Sequence, residues 1–214
     1  MVPLINEVYD YIVNKYGTNE PIFLSELDIS GMKPVSVRQQ IKKLTDDGRL
    51  KRFDTGIYYI PQKTIFRSGS TLSVDDVIRK KYLQDGVNRC GYVGGILFAN
   101  QLGLTTQVPA LYEVYTNKAT TEYRETKLAN LRVILRKPYC EIDTENAATL
   151  QFLDLIKEVV DISEVDGEEL TNRLIGYMKK KNIKFESMKP FLPYYPERIY
   201  KNMYEVGLLN GVSA

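Results

Sequence analysis

The segment 33–61 constrains the fold of this chain more than any other part. Val37, Ile41 and Leu44 follow one another at spacings of four and three residues, which places them on one face of a helix. Gly48 is the residue type that most often ends a helix, because it adopts a left-handed backbone conformation without strain. The segment therefore predicts a helix that begins near residue 35, ends at Gly48 and keeps polar residues on its other faces.

A β-hairpin is predicted directly after this helix. Residues 49–53 form a first candidate strand, and Ile-Tyr-Tyr-Ile at 57–60 forms a second, which Pro61 stops. Asp-Thr-Gly at 54–56 lies between them and is typical of a tight turn. Two strands joined by a turn that contains glycine indicate a hairpin.

The order of the preceding elements completes a recognisable pattern. Residues 3–16 predict an amphipathic helix that Gly17 ends, and Ser25 is a candidate N-cap for a short helix that contains Leu27. Helix, short helix, turn, polar-faced helix and hairpin is the order of a winged helix-turn-helix. We therefore expect a winged helix-turn-helix DNA-binding domain over residues 1–66, and the run 25–61 resembles bacterial domains of this type.

Positive charge concentrates in this segment. The whole chain has a formal net charge of only +2, whereas residues 33–52 carry seven basic and two acidic residues, a local net charge of +5. The basic residues are Lys33, Arg38, Lys42, Lys43, Arg49, Lys51 and Arg52, and the acidic ones are Asp46 and Asp47. Since the cluster falls on the predicted recognition helix and wing, it favours binding to DNA phosphates. A solvated or protein-binding face is the alternative.

The individual residues suit different contacts. Arg38 and Gln39 lie near the start of the recognition helix, where Arg can pair with guanine and Gln with adenine. Ser36 either caps the helix, which we favour, or binds a phosphate. Thr55 at the wing tip either approaches the minor groove or only forms the turn. The remaining candidates suit phosphate contacts, which supply affinity without sequence information, and they are Lys42, Lys43, Arg49, Lys51 and Arg52.

Residues 70–214 predict a second domain of mixed α and β structure, so that the fold class is α+β. The pattern Gly-Tyr-Val-Gly-Gly at 91–95 indicates a turn that leads into a helix, and Thr144 is a candidate N-cap. A polar link is predicted at 64–73. The predicted helices are 74–83, 96–102, 144–160, 168–181 and 196–209, and the predicted strands are 112–116 and 131–135.

Several classes of chemistry find no support in the composition. The chain has no histidine, and its two cysteines, Cys90 and Cys140, do not make a zinc site. The glycines at 91–95 match neither a P-loop nor a dinucleotide fingerprint. We therefore expect no catalytic residue, no metal and no cofactor. Glu141, Asp143 and Glu145 alternate in sequence and are the basis of the alternative, a DNA-acting nuclease.

The chain contains no apolar run long enough for a membrane span, and its first residues do not resemble a secretory signal. We expect reduced thiols and a cytoplasmic protein.

Three polar regions of the second domain allow two interpretations each. An acidic stretch at 154–169, opposed only by Lys157, precedes the lysines at 179–189, and this pattern indicates either solvated faces or a charged partner surface. A second polar region contains Asn100, Thr105, Thr106 and Gln107. It is either an ordinary loop or a functional cluster, which would be a toxin contact or a fold-specific hydrogen-bond network. The tyrosines at 194–204 suit either an interface or a half-buried core.

A resemblance to a known family enters at residues 91–109. Gly-Tyr-Val-Gly-Gly at 91–95, followed by Asn-Gln-Leu-Gly-Leu-Thr-Thr-Gln-Val-Pro at 100–109, is similar to a bacterial family related to the AbiE-type antitoxins. The similarity extends over residues 1–160 and includes Glu145-Asn146 and the run 150–154. It implies a winged helix that represses its own operon and a C-terminal domain that neutralises a nucleotidyltransferase-like toxin.

The expected function is therefore that of an antitoxin and DNA-binding autorepressor of a toxin–antitoxin (abortive infection) system. Its expected partners are double-stranded DNA at its own promoter and a cognate toxin protein, and a homodimer is possible. A plain winged-helix transcription factor, whose C-terminal domain dimerises or senses a ligand, is the alternative of the same class. The nuclease guided by the winged helix is the alternative of another class.

Overall fold

The computed structural model describes residues 5–62 and 69–209. Within these ranges the chain is a mixed α+β protein with eight α-helices and three sheets. Its contacts divide it into two compact units, 1–81 and 82–214. Residues 64–68 of the predicted link at 64–73 lie outside the described residues, as do the first two residues of the predicted helix 3–16.

The first unit begins with helix α1 (Ile5–Tyr16), followed by the short strand β1 (Ile22–Phe23) and a single 3-10 turn (Leu24–Glu26). Helix α2 (Pro34–Asp46) carries proline at its first position, where the missing amide hydrogen costs nothing. The predicted apolar face of α2 is confirmed, because its buried residues are Val37, Ile41 and Leu44.

The predicted short helix that begins at Ser25 is wrong. The helical turn starts one residue earlier, its preceding residue is Phe23, and no side chain caps it. The backbone N–H of Leu24 donates to the carbonyl of Gly56 at 2.9 Å, so pairing with the hairpin places the chain reversal at this point. Leu27 is already extended and follows the turn.

Strands β2 (Lys51–Asp54) and β3 (Ile57–Tyr59) form the predicted hairpin. Strand β3 lies in the centre of an antiparallel sheet of order β1-β3-β2, and Ile22 is paired with Tyr58. This arrangement buries one apolar cluster beneath α1 and α2, whose members are Val8, Ile12, Ile22, Ile29, Val37, Ile41, Leu44, Leu50 and Ile60.

The helix predicted over 74–83 has two parts. Helix α3 (Val74–Ile78) begins at Ser73, whose hydroxyl accepts the N–H of Asp75 at 3.1 Å. A π-helical turn (Arg79–Leu83) follows.

The second unit contains a two-stranded hairpin and a four-stranded sheet. The strands are β4 (Gln84–Asp85), β5 (Asn88–Arg89), β6 (Gly91–Gly94), β7 (Leu111–Thr116), β8 (Tyr123–Leu128) and β9 (Leu131–Arg136). The larger sheet has the order β6-β7-β9-β8, in which only the β7–β9 pair is parallel. Strand β9 therefore lies between β7 and β8, the two strands that precede it in the sequence.

The predicted turn at 91–95 is wrong, because residues 91–94 form strand β6. Glycine is needed at its start, since a Cβ at Gly91 would lie 2.6 Å from the carbonyl oxygen of Tyr82 and 2.7 Å from that of Tyr115. The close approach of two other segments, which the local sequence does not reveal, explains this glycine.

Five helices complete the second unit. They are α4 (Gly95–Gln101), α5 (Ala147–Ile162), α6 (Gly167–Lys181), α7 (Phe185–Met188) and α8 (Arg198–Glu205). The predicted cap at Thr144 is wrong, because α5 begins three residues later and the Thr144 hydroxyl accepts the N–H of Arg89 at 3.1 Å. No helix among the described residues has the length and apolarity that crossing a membrane requires.

Helix α5 is the centre of the second unit, and it buries two charges. The solvated-face interpretation of the acidic stretch is wrong for Asp154 and Lys157, whose side chains are 2 % and 8 % exposed. The Lys157 ammonium lies 3.1 Å from Asp154 and 3.2 Å from Glu158, and the hydroxyl of Tyr92 donates to Asp154. Burial raises the pKa of Asp154 to about 6, although Lys157 opposes the rise.

Candidate nucleic-acid interface

The residue that occupies the N-cap position of α2 differs from the predicted one. Lys33 is the N-cap position, and Ser36 lies within the first turn, so the favoured interpretation of Ser36 as the cap is wrong. Because Pro34 begins the helix with a fixed φ, the chain enters the helical conformation before it reaches the serine. Ser36 is half-buried.

The solvent-facing side of α2 carries a row of polar and basic side chains. Arg38, Gln39, Lys42 and Lys43 are all exposed, and within the described residues none of them forms an ion pair. The three buried residues of the opposite face hold the helix against the apolar cluster. The row is therefore presented by a packed helix and is open to solvent.

One further residue of this row was not predicted from the sequence. Val35 is 63 % exposed and lies three and four residues before Arg38 and Gln39, on the same side of the helix. An exposed apolar side chain next to polar ones could contact a thymine methyl group in the major groove. The spacing of the apolar residues indicates this exposure, because Val35 does not lie on the buried face that Val37, Ile41 and Leu44 form.

The hairpin brings two of the predicted residues together. Arg52 donates from Nε to the carbonyl of Asp54 at 3.2 Å and from Nη2 to the hydroxyl of Thr55 at 3.0 Å. The N–H of Thr55 donates to the Asp54 carboxylate at 2.6 Å, and Gly56 has a φ of 72°. These contacts fold the guanidinium onto the turn, so the tip of the hairpin carries both this cation and the carboxylate of Asp54.

The other two basic residues predicted in this region, Arg49 and Lys51, do not lie at the tip of the hairpin. Arg49 donates to the side chain of Asn6 at 2.8 Å, and its guanidinium lies 5.5 Å from the ring centroid of Tyr9. Its partners therefore belong to α1. Lys51 is half-buried on β2, where it is paired with Tyr59.

A cleft of about 440 Å³ connects α2 with the hairpin. Arg38 and Thr55 both line it, together with Pro34 and Gly56. The structure thus brings the start of α2 and the turn of the hairpin to one surface feature.

The carboxylates of the nuclease alternative do not form a site. Asp143 accepts the N–H groups of Glu145 at 2.8 Å and Asn146 at 2.7 Å, so its carboxylate closes the loop before α5. Throughout residues 5–62 and 69–209, no group of three or more carboxylate or cysteine side chains is placed to hold a metal ion.

The polar cluster after α4 forms a hydrogen-bond network. The amide of Asn100 donates to the carbonyls of Thr105 at 3.1 Å and Gln107 at 3.2 Å. Thr106 donates from its N–H at 2.7 Å and its hydroxyl at 2.8 Å to Glu164. The network joins the loop after α4 to the loop after α5, which gives these residues a structural role.

Comparison with family models and with curated proteins identifies no relative of this chain. The similarity to AbiE-type antitoxins stays a prediction. A scan against models of known protein families finds no match for this chain, and a search of curated proteins finds none either.

Proposed function

We propose that the first unit is a winged helix-turn-helix domain that binds double-stranded DNA and represses transcription from its own promoter. The exposed row on α2 carries this proposal. Arg38, Gln39 and Lys42 extend along one side of a helix that three buried apolar residues anchor, and α2 is the recognition helix in this proposal. The order β1-β3-β2, with a hairpin directly after α2, supports it as well.

In the proposed complex the residues have two kinds of contact. Arg38 and Gln39 read base edges in the major groove, since both lie in the first half of α2. Lys42, Lys43 and the Arg52–Thr55 pair at the hairpin tip bind phosphates. The local net charge of +5 supports this assignment, because the whole chain carries only +2.

The first test separates sequence reading from affinity. Arg38→Ala or Gln39→Ala in the full chain should cost about 1–3 kcal/mol on the promoter of its own gene and much less on a scrambled duplex. Lys42→Ala should weaken both complexes alike, because a phosphate contact carries no sequence information. Fluorescence anisotropy titrations with both duplexes would measure the difference, and equal losses on both for all three variants would show that α2 is not the reading helix.

We propose further that the second unit binds a toxin of nucleotidyltransferase type, as the resemblance of residues 91–109 implies. The segment around α8 supports a protein interface. Tyr194, Tyr200 and Tyr204 are 64 %, 47 % and 69 % exposed within eleven residues, while Ile199 and Met203 hold α8 against the core. Exposed tyrosines combine apolar area with a polar hydroxyl and are enriched at protein interfaces.

Co-expression tests this second role independently of repression. The full chain carrying Lys42→Glu and Lys43→Glu should still rescue growth when the toxic product of the neighbouring gene is expressed from a separate promoter. Neutralisation by contact does not need the DNA-binding row. Tyr200→Ala with Tyr204→Ala should abolish rescue without altering promoter binding. Rescue that required an intact α2 would indicate repression alone.

A further inference from the structure

A second cleft lies entirely within the second unit, between α6, the end of α4 and strand β5. Its volume is about 480 Å³, and its lining includes four basic side chains. They are Arg89, Arg173, Lys180 and Lys181. No carboxylate belongs to the lining as far as the structure describes the chain. The lining is therefore positive, although the carboxylate of Glu169 pairs with Arg173 at its rim. Its basic residues come from two separate elements.

The floor of the cleft is built from buried, hydrogen-bonded side chains. The hydroxyl of Tyr177 donates to Gln151 Oε1 at 3.0 Å, and the Gln151 amide donates to the carbonyl of Val93 at 2.8 Å. The ring of Phe98 packs against Tyr177 edge to face, with 5.3 Å between centroids. Burial raises the pKa of Tyr177 to about 12, while the charge of Arg89 opposes the rise. Arg89 and Tyr177 both line the cleft.

Two features preorganise this cleft. The Arg173 guanidinium is held by the carbonyl of Gly103 and by Glu169, so the side chain is fixed at the rim. Gly176 lies one turn further along α6, and a Cβ built there would have no heavy atom within 4 Å. A glycine inside a helix is unfavourable, because it loses more backbone freedom than other residues do. Here it leaves the space between Arg173 and Lys180 open.

We propose that this cleft binds a small phosphorylated ligand of the nucleoside phosphate class. Arg89 and Lys180 hold the phosphates, since a guanidinium group pairs with phosphate oxygens through two parallel hydrogen bonds and an ammonium group acts as a point charge. The nucleoside lies against Leu102 and the aromatic floor. The volume lies within the range of small-molecule sites, roughly 300–1,000 Å³.

An interaction with the dipole of α6 does not by itself explain the positive charge of the cleft. Lysines 179–181 at the end of a helix do stabilise it by facing its negative end. Arg89, however, belongs to a hairpin strand, and Arg173 lies near the middle of α6. Their convergence on one cleft with a polar floor indicates a common anionic ligand. This role is independent of the proposed DNA and toxin binding, which involve other surfaces.

Calorimetric titration of the full chain with ATP and with pyrophosphate, at low salt, tests the proposal. Gly176→Leu should abolish ATP binding, because Gly176 lines the cleft and a Cβ there meets no protein atom, so a larger side chain can occupy the ligand's space. Lys180→Gln should weaken ATP binding about tenfold through the loss of one charged contact. Lys179→Gln is the matched control, since Lys179 neighbours the cleft on the same helix but does not line it, and it should leave binding unchanged.

Three outcomes would overturn the proposal. They are the absence of saturable ATP binding at millimolar concentration, ATP binding that survives Gly176→Leu, and pyrophosphate binding as tight as that of ATP. The last would indicate a site for simple anions. If a single-stranded oligonucleotide bound through the same residues while ATP did not, the ligand would be a polynucleotide and not a nucleoside phosphate. If Gly176→Leu does not fold, Lys180→Gln and Arg89→Gln decide the test.

Discussion

Lys157→Met should destabilise the second unit by about 3–5 kcal/mol, because it leaves the buried carboxylate of Asp154 without its cation. The ammonium group lies 3.1 Å from Asp154, 3.2 Å from Glu158 and 3.3 Å from the hydroxyl of Tyr115. Methionine keeps the side chain except for its charged terminal group, so the loss reports mainly the charge. Equilibrium urea unfolding monitored by hydrogen exchange of the α5 amides would measure it.

Two comparisons identify the cause of this loss. Asp154→Asn combined with Lys157→Met should recover most of the stability, since neither charge then remains buried. The exposed Lys179→Met should change the free energy of unfolding by less than about 0.5 kcal/mol. The loss in Lys157→Met should also be smaller at pH 5 than at pH 7. The pKa of Asp154 is raised in the folded state, so protonation below that pKa removes the buried charge. Equal losses for the two lysine variants would contradict the account.

Reversing two charges on α2, with Lys42→Glu and Lys43→Glu, should weaken promoter binding by about 100-fold or more. Each substitution removes a charged phosphate contact of about 1.5–3 kcal/mol and places a negative group at the DNA backbone. Both lysines are exposed, so the fold of the first unit should be retained. Anisotropy titrations at several salt concentrations would measure the loss. If about five phosphates are neutralised, log K should fall with log salt at a slope near −4 to −5 in the unmodified chain and less steeply in the variant.

The matched control reverses two exposed lysines of the second unit, Lys127 and Lys179. This double variant has the same net charge as the α2 variant and differs from it only in the position of the charges. It should keep nearly the full affinity and salt slope. A comparable loss in both double variants would mean that net charge attracts the DNA and that α2 has no special role.

Most of the first unit could be predicted because its signals are local. The spacing of Val37, Ile41 and Leu44 defined the buried face of α2, and the glycine at 56 marked the hairpin turn. The exposed row of the candidate interface followed from the same spacing, since residues that are not on the apolar face must lie on the others. Local reasoning failed at Ser36, where the proline at 34 starts the helix earlier.

The second unit was harder to predict, for a reason visible in two of its strands. Strand β8 has the exposed charged residues Arg124, Glu125 and Lys127, which suit the edge of a sheet, but it lacks an alternating apolar pattern. Strand β6 contains glycines that indicate a turn in isolation. Both are strands because β9 and β7 supply their hydrogen-bond partners.

Helix periodicity, turn residues and charge density are properties of neighbouring residues, so they predicted where α2 and its hairpin form and where positive charge accumulates. Which charges are buried and which converge depends on how distant segments pack. Asp154 and Lys157 belong to a stretch with the composition of a solvated surface, yet α5 is covered on nearly all sides. Arg89 and Arg173 are distant in the chain and meet at one cleft. Burial and convergence depend on contacts between distant segments, and no local pattern contains them.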